Sequence, residues 1–336
     1  MKIRVTETLD PMSFFAILIS LLIEQIRPLS RARPIDGLLS RWMNWVGRNF
    51  NAGRDHHAWV VWLITVLSPA LLVAVVSMSL SGMNVLPSLV WDVIILYLTL
   101  GFRQFSHFFT DIRDSLERGD DLSARHYLSE WRYLDASDLP RNELLRHVIE
   151  HSLLSAHRHV FGVFFAFLLL SGLGLGPAGA VLYRLAEFTS RYWDVKAQSA
   201  IDPTLDRIKA LSQQLFDLMD YLPVRFTAFG FAIVGNFEEA INSWRRDASL
   251  WKHSNEGVLL ASASGAVGVR LGGSAPEVQD VQYSLGDVSP EIEAEGSTAG
   301  AVPTIGHLRG VVGLVWRSVV FWMLLLALLS VANLLG

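Results

Sequence analysis

Apolar residues in this chain gather into long unbroken runs. Residues 58–80 make 23 positions without a charge, and about 20 apolar residues are enough to cross a bilayer core as a helix. Pro69 stands in the middle of that run and predicts a kink there. The short segment 81–85 leads into a second apolar run, 86–102, whose one acid is Asp92. A connection that short predicts an antiparallel helical pair. Residues 160–183 form a third uncharged stretch, broken by Gly172, Gly174, Gly176, Pro177 and Gly179. The last run, 311–335, has Arg317 near its start, close enough to the end for its head group to snorkel. Three complete spans are therefore expected: 58–80, 86–102 and 311–335. Two shorter runs, 11–23 and 226–237, suit re-entrant or interfacial placement as well as spanning.

The polar segments between the runs carry the orientation. Residues 24–57 hold six arginines, 103–158 hold eight, and 184–225 hold six Lys and Arg, whereas 81–85 hold none. Basic connections stay on the cytoplasmic side, so all three basic stretches are expected there. This requires 160–183 to enter and leave on one side, as a re-entrant hairpin turned by its glycines. The alternative is a single kinked span followed by a basic periplasmic loop. The first run continues into Glu24, Gln25 and Arg27 without a small-residue cleavage site, unlike a secretory signal. The expected organisation is an N-terminal hydrophobic segment and basic loop (1–57), a transmembrane hairpin (58–102), a cytoplasmic helical region (103–158), hydrophobic segments with a Gly-rich loop (159–273), an acidic flexible linker (274–303) and a C-terminal transmembrane helix (304–336).

Composition agrees. Of the 336 residues 51% are hydrophobic and only 18% charged, with a mean hydropathy of +0.35, which excludes an ordinary soluble domain and a disordered chain. There is no cysteine, so disulfide frameworks, Cys-ligated metals and thiol catalysis are excluded. A net charge of −4 gives no footprint for nucleic acid. The fold class is all-α, a polytopic integral membrane protein with re-entrant segments, a cytoplasmic helical region and the lipid bilayer as its first partner.

Few residues invite chemistry. Asp92 lies inside an apolar run, where a carboxylate needs a partner or a wet cavity; a position near the membrane surface or a paired arginine would also accommodate it. His147, Glu150 and His151 spell H-x-x-E-H, a zinc pattern on a helix, though a basic amphipathic helix reads the same way, and no metal ligand is assigned. No phosphate-binding P-loop or nucleophile elbow is present. The glycines of GAVGVRLGG, 265–273, could leave backbone N–H groups open to an anion, with Arg270 beside them, or could serve close packing.

Several segments together resemble the CbiB/CobD membrane proteins of cobalamin biosynthesis, over most of the chain. LYLTLGFRQF (96–105) behind Asp92, LERGDDLSARHYLS (116–129), GPAGAVLYR (176–184), FDLMDYLPVRFTA (216–228) and above all GAVGVRLGG carry the likeness. The resemblance implies an adenosylcobinamide-phosphate synthase, joining aminopropanol phosphate to a corrinoid carboxylate as an amide with ATP and magnesium. It would assign catalytic roles to Asp92, Glu150 and Asn255. Substrate or phosphate binding would fall to Arg103, Arg184, Arg225, Gly268, Arg270, Gly272 and Gly273. The chain departs from that pattern where the family's acids and amides become Leu154, Ser155, Arg158, Glu187, Ser190 and Leu260, its His becomes Trp251, and Asp220 replaces an Asn. SFFAILISLLIEQIRPL (13–29) and YLPVRFTAFGFAIVGNFEEAINSW (221–244) are similar instead to AmpE-like proteins, associated with β-lactamase induction. This second resemblance implies a non-enzymatic membrane sensor or regulator with a ligand or a membrane or cytoplasmic protein partner. Either way the implied location is the bacterial inner membrane.

Overall fold

The computed structural model describes residues 11–26, 34–50, 55–82, 85–132, 136–199, 203–273 and 296–335. The linker expected at 274–303 lies outside them except for its last residues. Regular structure among the described residues is helical: α1 (Pro11–Ile26), α2 (Pro34–Phe50), α3 (Asp55–Trp62), α4 (Ser68–Ser81), α5 (Val85–Thr99), α6 (Phe102–Glu117), α7 (Asp121–Arg132), α8 (Arg141–Ala156), α9 (Gly162–Ser171), α10 (Ala178–Ser199), α11 (Pro203–Val234), α12 (Phe237–Asp247), α13 (Ser254–Val267) and α14 (Ile305–Leu335). Single π turns, Leu63–Leu67 and His157–Phe161, join α3 to α4 and α8 to α9.

Among the described residues three helices are long and apolar enough to cross a membrane: His57–Ser81, Arg141–Ser171 and Ile305–Asn333. The first and last match expectation. Pro69 has no N–H to give the carbonyl of Thr65, and the wide π turn that contains Thr65 sits immediately before it. The expected span 86–102 is corrected. Its helix has 15 residues and ends at Thr99, and Leu100 and Gly101 interrupt it before α6. At 1.5 Å per residue such a helix falls short of a core about 30 Å thick. In its place stands the 31-residue helix Arg141–Ser171.

The chain forms two compact units. The first unites residues 1–106, 155–224 and 319–336. Here α9 packs on α10 through a turn at 172–177, where Gly174 and Gly176 have φ of 78° and 55°. Gly179 lies so close to the Ala166 carbonyl that a side chain would collide with it. The glycine cluster therefore reverses the chain as a hairpin. One apolar cluster joins Val73, Ala74, Ile95 and Ala178. Another joins Val46 and Val61 to Trp193, Leu205 and Ile208, so α2, the start of the first long helix, the end of α10 and the start of α11 share one end of this unit.

The second unit unites residues 107–154 and 225–318. Its centre is the pair α12 and α13. Asn236 caps α12, its side-chain oxygen accepting from the Glu239 N–H at 3.3 Å. Residues 226–234 are the end of α11 rather than a segment of their own. Behind α13 the strand-like segments 268–273 and 296–301 are tied by isolated bridges, Val269 to Ala301 and Gly272 to Ser297.

Candidate functional site

The sequence-assigned residues fall into two groups. In the second unit Gly268 closes α13 in the left-handed conformation, φ 76°, a position that favours glycine. The chain then runs past Arg270 to Gly272 and Gly273, both also at positive φ. The N–H groups of this string are engaged within the protein. Arg270 donates to the Ala301 carbonyl at 2.8 Å, Leu271 to Thr298 Oγ1 at 2.8 Å, Gly272 to Glu150 Oε1 at 2.7 Å and Gly273 to the Gly296 carbonyl at 3.0 Å. The expected anion cradle is thus occupied by the chain's own acceptors. The Arg270 side chain is exposed.

Glu150 is the centre of this group. It is buried, and besides Gly272 its neighbours are Arg146 Nε at 4.0 Å and His147 Nδ1 at 3.7 Å. Arg146 itself bonds the Gly272 carbonyl at 2.6 Å, the Gly273 carbonyl and the Glu143 carboxylate. Two charged side chains one turn apart on α8 therefore clamp both the donor and the acceptor of Gly272. Burial of such a pair is tolerable only with hydrogen bonds made: Arg146 Nη1 and Glu150 Oε1 make theirs to Gly272, while Arg146 Nε has no hydrogen-bond partner among the described residues. Arg225 Nη1 donates to Asn255 Oδ1 at 3.3 Å, and Asn255 is buried at the start of α13. Trp251 and Leu260 are buried as well. A side-chain carbon at Gly257 would lie 2.8 Å from Trp251 Cβ, so the indole fills the space beside α13.

The other group lies in the first unit. Asp92 is buried on α5. A side-chain carbon at Gly176 would lie 3.5 Å from its Oδ1 and would collide with Ser77 Oγ, so Asp92, Ser77 and the glycine turn meet. Arg184 donates to Glu187 Oε2 at 2.8 Å, and Arg191 Nε reaches Glu187 Oε1 at 3.2 Å. Burial alone would raise the pKa of Glu187, but the positive charges of Arg191, Arg184 and Arg158 together hold it below the usual carboxylate value. Arg158 also stands 5.8 Å from the centre of the Phe216 ring, within cation–π reach. The side chain of Arg103 lies outside the described residues.

Sequence reading passed over one cluster. His157 Nε2 is 2.8 Å from Asp220 Oδ1, and the Tyr183 hydroxyl donates to the same oxygen at 2.7 Å. All three are buried. Tyr183 is admitted because Gly162 has no side chain to obstruct its ring. The signal in the sequence was Asp220, an acid where the resembled family has an amide, with His157 just ahead of the apolar run 160–183.

Magnesium and ATP, which the synthase resemblance implies, need acids and amides free to converge on a cation. Glu150 is held by Gly272, Leu154 and Leu260 have no donor atoms, and Arg158 brings a positive charge. Among the described residues no group of three or more His, Asp or Glu is set to hold a metal. His147 leans on Glu150, and the His151 ring meets Trp131 edge-on at 4.5 Å. The described residues do not fit a magnesium site of that kind.

A family model described as CobD/Cbib protein matches residues 13–302. The chain is 29% identical over 285 residues to the cobalamin biosynthesis protein CobD of Stutzerimonas stutzeri, covering 83% of this chain and 85% of that one. It is 31% identical over 208 residues to the protein of the same name from Chromobacterium violaceum, 61% and 64% of the two chains. The namesake in Leptospira interrogans is 25% identical over 211 residues, again 61% and 64%. No solved structure matches.

Proposed function

The chain belongs to the CobD/Cbib protein family, and from that premise we propose that it keeps the membrane scaffold of cobalamin biosynthesis without the amide-forming ligase reaction. The observation that carries this reading is the engagement of Glu150. The one acid that survives in its segment accepts the Gly272 N–H at 2.7 Å and faces Arg146. It closes a loop where the ligase would need it open to magnesium. A carboxylate so bonded would give up a charge-assisted hydrogen bond to move to a metal. The protein then acts by binding, as a sensor or interaction protein of the AmpE-like kind. Its ligand would be a corrinoid or another small molecule, or a membrane or cytoplasmic protein. It resides in the bacterial inner membrane with its basic stretches toward the cytoplasm.

Expression in a bacterium stripped of its own synthase tests this. The account expects no restored corrinoid amidation, beside restoration by an active family member. Restoration would overturn it. The synthase itself is the second reading, favoured by the exposed Arg270 on the most family-specific string. That reading expects restoration that disappears in Arg270→Ala.

A further inference from the structure

Helix α2 does not have the surface of a helix that faces only water. Its inner side, Met43 and Val46, is fully buried, and Val46 joins the cluster with Val61 and Trp193. On its outer side Leu38, Arg41, Trp45 and Arg48 recur at helical spacing, with Leu38 60% and Trp45 52% exposed. Trp45 is flanked by more aromatic surface, the Trp42 ring stacked at 5.5 Å and the Phe50 ring edge-on at 6.0 Å. Exposed tryptophan, leucine and arginine on one face are the composition of a helix lying at a bilayer surface. The position agrees, because α2 packs on the start of the first long apolar helix.

A second observation gives the face its sign. Lys196, on α10, reaches α2, its Nζ donating to Asn44 Oδ1 at 2.8 Å and standing 5.0 Å from the centre of the Trp193 ring. Burial, and then the charge of Arg48, lower the pKa of Lys196. Asn44, which holds Lys196, lies one turn before Arg48 on α2, so the two cations share one edge of the aromatic surface. A phosphate between them would offset both charges.

We propose that α2 is an interfacial helix whose outer face, completed by Lys196, holds the phosphate of an anionic phospholipid headgroup. The aromatic and leucine side chains enter the headgroup layer, and Arg48 and Lys196 bracket the phosphate. A soluble anion would find the cations but not the apolar contacts.

The absence of cysteine makes the test clean. Asn49→Cys, on the exposed side of α2, takes a single bimane label in the full-length protein. The protein is then reconstituted in phosphatidylcholine vesicles containing phosphatidylglycerol. Spin-labelled phosphatidylglycerol should quench the label several-fold more than spin-labelled phosphatidylcholine, as basic side chains at a surface favour anionic lipid. Arg48→Gln with Lys196→Gln should abolish the preference and leave the quenching. If that pair fails to reconstitute, Arg48→Gln alone should weaken the preference. Quenching by aqueous iodide with none from lipid would put the face in water and overturn the proposal. Equal quenching by the two lipids would overturn it too. So would loss of the preference on adding inorganic phosphate, which would mark a free-anion site.

Discussion

Glu150 ties its neighbours together across 122 residues of sequence, and its replacement should show this. Glu150→Ala leaves the Gly272 N–H without its acceptor and leaves Arg146 to pair with Glu143. The expected cost is about 1–3 kcal/mol, read as earlier thermal unfolding in detergent and as new protease cleavage within 268–273. Glu150→Gln retains an acceptor oxygen and should lose less; equal losses would argue against the hydrogen bond. Glu187 gives a prediction in pH. Its folded-state pKa is lowered by Arg191, Arg184 and Arg158 against the effect of burial. Its stabilising contribution is therefore present above the unfolded value, about 4.3, and lost as pH falls through the folded one. Between neutral pH and pH about 3, the wild type should lose more stability than Glu187→Gln. Parallel curves would contradict the assignment. Neither role was legible beforehand. Glu150 read as a catalytic candidate because its partner lies far along the chain, and Glu187 read as a lost amide.

At the scale of elements, the uncharged runs at 58–80 and 311–335 were legible because nothing polar interrupts them. The helix Arg141–Ser171 was not, because Arg146, Glu150 and Arg158 sit inside it and split it by composition. Their partners, Gly272, Glu143, Glu187 and Phe216, become visible only in the fold. Conversely 86–102 looked long enough, but its helix ends at Thr99. The turn between α9 and α10 separates two effects of glycine. Gly174 has φ 78° and open space around it, while Gly176 has φ 55° and Ser77 in the way of any side chain. Gly174→Ala should cost only backbone strain, about 1 kcal/mol. Gly176→Ala should cost clearly more, since overpacking adds about 1–3 kcal/mol. Unfolding of both variants in detergent compares them, and equal losses would mean that the turn is looser than described.

Across the whole molecule, the all-helical class with helices apolar enough to cross a membrane followed from composition and run length, and the family from short strings. The functional state did not, because it depends on what the surviving polar groups touch. Sidedness can be examined within the first unit. Val46 shares a core with Leu205 and Ile208, so the basic stretches around α2 and the start of α11 belong to one end. Gly37→Cys and Ala210→Cys, both exposed, should react with a membrane-impermeant thiol reagent from the cytoplasmic side only. Labelling of the two from opposite sides would break the hairpin reading of 160–183.

The most direct measurement of the central claim is ATP-dependent coupling of adenosylcobyric acid to aminopropanol phosphate, with magnesium, by membranes containing this protein. The account predicts no product above membranes without it, while an active family member run alongside gives product. Product formation that is lost in Arg270→Ala would contradict it, and would show that the ligase reaction runs with Glu150 bonded to Gly272 and with leucines and an arginine where acids were expected.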